Sequence, residues 1–127
     1  MPMTTSRAAT SLSAVTQGAS ACYIGFSTTA IAADGTGITE PSGNNYARIS
    51  IAASEWTTSG RRRATNVAKA FASAPSGSWG TLTHWFISTA STSGTVEWYD
   101  ALSLAITPVV GTAPSIPAGQ LFIELPS

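Results

Sequence analysis

Residues 80–89 read GTLTHWFIST, a stretch dominated by the β-branched and aromatic side chains that fit a pleated, half-buried surface. That predicts a strand. The Ser- and Gly-rich ASTSG at residues 90–94 then closes a hairpin, and residues 95–106, TVEWYDALSLAI, form its return strand. A bend is expected near Asp100 and Ala101, because a twelve-residue strand would be long.

Outward from this hairpin, residues 21–28, ACYIGFST, give a first strand, and residues 46–52, YARISIA, alternate with a period of two. Ala47, Ile49 and Ile51 share one side; Tyr46, Arg48 and Ser50 share the other. Between these strands, residues 32–45, AADGTGITEPSGNN, collect turn formers and predict a long surface loop. The polar run 57–63 predicts a second loop carrying Arg61, Arg62 and Arg63. Residues 67–72, VAKAFA, predict a short strand, with one helical turn as the alternative. Three prolines in residues 107–120 argue against a central strand there, and LFIEL at 121–125 reads as a terminal strand.

Strands this short, with turn signals every ~8–12 residues, are the pattern of a sandwich or barrel. The expected fold is all-β: a single-domain antiparallel β-sandwich, jelly-roll-like, over residues 20–127. Residues 1–19, in which Ser and Thr interrupt every apolar period, are expected to form an extended N-terminal arm.

The chain has 127 residues, room for one core. Hydrophobic residues make up 43% and charged residues only 9%, against roughly a quarter charged in average domains. A surface so poor in charge must be covered by Ser, Thr, Ala and Gly, which are neutral and lose little rotamer entropy when immobilised. Such an exterior suits burial against other protein. Six basic residues balance six acidic ones, so no net field steers the chain to nucleic acid or an anionic membrane. Neither partner is expected. Residues 1–20 contain no apolar block of signal-peptide length, and no later run reaches the length of a membrane span. Cys22 is the single cysteine and so cannot form an intrachain disulfide.

Catalytic chemistry finds little to build on. With His84 and Cys22 each alone of their type, no His/Cys metal cage can form within one chain. His84 lies inside an apolar strand, which favours a structural role. Glu97 and Asp100 are the nearest pair of acids, but a separation of three residues on a strand points them to opposite sides. The serines lack a Gly-x-Ser-x-Gly elbow. The chain is therefore expected to be non-enzymatic and to need no cofactor. The candidate contact residues are Arg7, the run Arg61 to Arg63, and Trp56, whose large ring lies in a polar stretch where an interface anchor could be exposed.

Three segments, YIGFSTTAIAADGTGITEPSGNNYARISI, GSWGTLTHWFIS and AGQLFIEL, resemble a family of small tailed-bacteriophage virion proteins commonly labelled tail-fibre-like. The likeness rests on Ser27 to Thr29, on Glu40 to Gly43 followed by Tyr46 to Arg48, and on Ser78 to His84. Residues 1–19 and 54–63 depart from the family pattern. The resemblance implies a structural virion protein assembled in the host cytoplasm, bound to the major capsid protein or to other virion proteins, and homo-oligomeric. A chain without a shaft or receptor-binding repeat is short for a complete fibre, so capsid decoration (a cement protein) is the expectation. A tail-fibre, tail-tip or baseplate component is the first alternative, and a host-glycan-binding module the second.

Overall fold

A computed structural model describes residues 21–59, 62–71, 75–120 and 122–124. The expected arm, Arg7 and Arg61 lie outside the described residues. Within them the chain is an antiparallel all-β fold, as its sequence predicts.

The principal sheet has the order β2-β1-β6-β7, where β1 is Cys22–Ser27, β2 Ile49–Ile51, β6 Leu82–Ser88 and β7 Val96–Ile106. Alternation of side chains sets its two faces. Cys22, Ile24 and Phe26 of β1, Ile49 and Ile51 of β2, and Trp85 and Ile87 of β6 all enter one hydrophobic cluster. Trp56, Phe71, Trp79 and Ile123 join that cluster from outside the sheet. Three rings pack edge to face or tilted around Phe71: Phe26 at 5.4 Å, Tyr46 at 6.1 Å and Trp79 at 4.9 Å.

On the opposite face of the sheet, Phe86 is also fully buried. It pairs in register with Gly25 of β1, and a Cβ built at Gly25 would lie 2.3 Å from Phe86 Cζ. The missing side chain is what lets the Phe86 ring lie flat over the neighbouring strand.

Among the described residues there are two smaller sheets. β3 (Trp56–Ser59), β4 (Arg62–Thr65) and β9 (Phe122–Glu124) form one in the order β3-β4-β9; β5 (Lys69–Ala70) and β8 (Ser115–Ile116) form the other. A 3-10 turn at Ala53–Glu55 leads into β3.

Two local expectations are corrected. The described residues of the polar run, 57–59 and 62–63, are strand and not loop: β3 and β4 pair antiparallel from Trp56↔Thr65 to Ser59↔Arg62. Its Thr residues favour extended backbone, and the arginine stems pack on aromatic rings, so a strand pair forms without an apolar sequence. The strand expected at 67–72 shrinks to Lys69–Ala70. The return strand is one strand over Val96–Ile106, and its register to β6 breaks just past Ala101, where the sequence places a bend. Pairing with β6 is regular from Ile87↔Trp98 to His84↔Ala101, then passes directly to Leu82↔Ile106.

Candidate interaction surface

Glu40, Tyr46 and Arg48, brought into the sequence reading by the spacing Glu-x-x-Gly then Tyr-x-Arg, meet in space. Arg48 donates from Nε to Glu40 Oε1 at 3.0 Å and from Nη2 to Glu40 Oε2 at 2.9 Å. Its Nη1 donates to Ser88 Oγ and to the carbonyls of Ala90 and Ser93. The guanidinium also lies 5.0 Å above the centre of the Phe86 ring. The Arg48 side chain is only 8% exposed, so its charge is matched by a carboxylate and by backbone acceptors where water is scarce. Tyr46 Oη donates to Glu40 Oε1 and accepts the Phe26 N–H. Burial, with smaller contributions from its neighbours, pushes the Tyr46 phenol above its usual range. This cluster ties the long loop, the lead-in to β2 and the β6–β7 turn together, and its donors and acceptors are engaged internally. It is a clamp, and it leaves the outer surfaces to other residues.

The arginine hairpin divides by the period of two. Arg63 faces inward beside Trp56, with its guanidinium 5.9 Å from the ring centre and its Nη1 donating to Thr58 Oγ1 at 2.7 Å. Arg62 faces outward and stacks 4.1 Å over Phe122, a ring 37% exposed. Trp56, expected in an exposed loop, opens β3 and is 6% exposed in the core. The reading of its position is corrected, since its ring fills space between the sheets. The signal available was its place at the start of an alternating Trp56–Thr58 face. Trp56 Nε1 and the Thr65 hydroxyl, at paired positions, are buried without a hydrogen-bond partner among the described residues.

The residues weighed for chemistry stay apart. His84 is half-buried in β6, its Nδ1 2.8 Å from Thr83 Oγ1. Glu97 and Asp100 are exposed on β7, and Asp100 Oδ1 accepts the Ala101 N–H at 2.8 Å. Cys22 is buried, and that burial pushes its thiol above the ordinary value, against smaller lowering contributions from Trp56 and Arg63. Among the described residues no three His, Cys, Asp or Glu side chains are grouped to hold a metal ion, and no helix is long and apolar enough to cross a membrane.

Sequence reasoning missed the apolar exterior. Leu104 is 78% exposed, Val109 66% and Val110 58%, with Ile106 and Phe122 also substantially open. Beside β7 lies a groove of about 360 Å³ whose floor includes Phe26 and Trp85 and whose walls include Leu102, Ile106, Ile116 and Phe122. The sequence places LSLAI, residues 102–106, in the return strand and does not by itself say which of its side chains face solvent.

A family model described as Podophage GP4 fiber I protein gp80 matches residues 5–124. No curated protein matches the chain.

Proposed function

The chain belongs to the Podophage GP4 fiber I protein gp80 family and is thereby a structural protein of the phage virion; from that premise we propose that it is a component of the fibre apparatus, built to contact other virion proteins and to carry out no bond-making chemistry. The observation that carries this reading is the family match, which covers both hairpins, the clamp and the terminal strand. Capsid decoration, expected from the short chain, draws no support from a fibre family, and the tail-fibre alternative takes its place.

The surface chemistry is consistent with that role. Charged residues are 9% of the sequence, and large aliphatic side chains are exposed around the end of β7, a combination that marks surfaces to be covered by protein. Arg62, stacked on Phe122, is the contact residue we favour within the described residues. Arg7 and Arg61 remain candidates in the same role, with the arm at 1–19 extending the contact. A homo-oligomer is the expected state.

A second reading, contact with a host glycan, has one observation in its favour. A cleft of about 390 Å³ between residues 33–35 and β7 sets the exposed Tyr99 ring beside Asp34 and Glu97, and such rings can stack on sugars.

The test is fractionation. Purified tailless heads and isolated tails are each incubated with the tagged chain. Retention on tails and absence from heads supports the fibre reading; saturable binding to heads alone defeats it.

A further inference from the structure

We propose that the cleft between the turn at residues 32–36 and the first half of β7 binds an uncharged sugar ring, with Asp34 and Glu97 accepting its hydroxyl groups and Tyr99 covering its apolar face, and that it excludes acidic sugars. The inference rests on the glycan reading and adds to it a ligand class and the residues that select it.

Two departures from regular structure build the cleft. The first is the turn, closed by the Gly35 N–H donating to the Ala32 carbonyl at 2.9 Å and the Ala32 N–H donating to the Thr36 carbonyl at 2.8 Å. Gly35 has a φ of +82°, and a Cβ there would lie 3.3 Å from Val96 Cβ, so the turn backbone rests against β7 itself. The second is a bulge in β7. Its pairing to β6 passes from Ile87↔Trp98 to Ser88↔Val96, which leaves Glu97 as the extra residue. A bulge re-aims the side chains around it, and Glu97 lines the cleft together with Asp34 and Tyr99.

The polar groups gathered there are open to a ligand. Asp34 Oδ1 accepts from the Thr36 hydroxyl at 2.6 Å and from the Thr36 N–H at 3.1 Å. Those two bonds, the hydroxyl's first, hold the Asp34 carboxyl below its ordinary value, so it stays charged. Among the described residues, Asp34 Oδ2, the Glu97 carboxylate and the Tyr99 hydroxyl have no hydrogen-bond partner. The Tyr99 ring is 36% exposed.

That set defines the ligand. Among the described residues that line the cleft, the charged ones are both acids. Ionised carboxylates only accept hydrogen bonds, so they match a ligand rich in donors. A sugar ring carries several hydroxyl donors around an apolar C–H face, and an exposed tyrosine supplies a flat apolar body with a polar tip for that face to cover. The volume of about 390 Å³ lies at the small end of ligand pockets. An acidic sugar would set a like charge beside two carboxylates, which disfavours it. A simple cation would gain little, because exposed ion pairs and exposed cation–ring contacts are each weak.

The experiment is NMR titration of the isotope-labelled full chain with methyl glucoside, methyl galactoside and N-acetylglucosamine, and with glucuronate and ethylamine as the charged counterparts. At least one neutral sugar should shift the amides of residues 33–35 and 96–99 saturably, while glucuronate and ethylamine leave them unmoved. Tyr99→Leu and Glu97→Ala, whose spectra report whether they are folded, should each weaken the sugar's binding by about fivefold or more. Amides that respond to no neutral sugar overturn the inference, as do a response to glucuronate of equal strength, a response to ethylamine alone, or sugar binding indifferent to both substitutions. The glycan reading itself is tested on an array of bacterial-envelope glycans. Array binding that survives Tyr99→Leu sinks this site and leaves that reading standing; a blank array sinks both, and the fibre reading depends on neither.

Discussion

Arg48 holds Glu40 through two parallel hydrogen bonds of 3.0 and 2.9 Å, while its remaining amino group reaches the turn between β6 and β7, more than forty residues further along the chain. One guanidinium thus fixes a loop and a hairpin against the outer face of the principal sheet.

Removing one partner leaves the other charged in a site with little water. Arg48→Ala should destabilise the fold by about 3 kcal/mol, the scale for breaking a largely buried ion pair. Arg48→Lys should recover only part of that loss, because an ammonium cannot form the two-bond fork. Urea unfolding of Arg48→Ala, Glu40→Gln and the double variant should give a coupling energy of about 1 kcal/mol or more. Additive effects would mean that the pair is not a unit.

How much of this could be read in the sequence depends on the residue. The β6–β7 hairpin, the first strand and the shared side of Ile49 and Ile51 were legible, because those segments are carried by apolar and β-branched side chains. The arginine hairpin was not. Its inward face is Trp56, Thr58, Arg63 and Thr65, and a polar face reads as loop unless one knows that Arg63 stacks on Trp56. The spacing of Glu40, Tyr46 and Arg48 was visible, yet their joint role was hidden: the acceptors that complete the clamp, at Ser88, Ala90 and Ser93, come from a distant turn.

Gly25→Ala should be among the costlier single-methyl changes in the protein. The added carbon would fall 2.3 Å from Phe86 Cζ, and displacing a buried ring in a packed sheet costs about 1–3 kcal/mol. Combining it with Phe86→Leu should cost less than the sum of the two single changes. Thermal unfolding of the three variants checks this; a neutral Gly25→Ala would contradict the close packing of ring on strand.

Lys69 Nζ lies 2.9 Å from both oxygens of Glu55, and the Ala52 N–H donates to the same carboxylate. These contacts hold the Glu55 carboxyl below its ordinary value of 4.5. Its stabilising contribution is therefore fully present above pH 4.5 and fades as pH falls through the depressed folded value. The pair is partly solvated, so Glu55→Gln should remove no more than about 0.5 kcal/mol at neutral pH. Stability followed from pH 7 down to 2 should converge for wild type and variant at the acid end. A gap that widened as pH fell would contradict the assignment.

Cys22 is fully buried, and its thiol is held protonated by that burial. A thiol reagent should label it only through opening of the fold, at a rate that rises in step with urea-induced unfolding. Rapid stoichiometric labelling of the native chain would place Cys22 at the surface.

The most direct trial of the central claim is to see where the chain resides on the particle. Intact virions labelled with gold-conjugated antibody against the folded domain and imaged by electron microscopy should carry gold on the fibres that project from the tail. Gold spread evenly over the icosahedral shell, with bare fibres, would contradict the account.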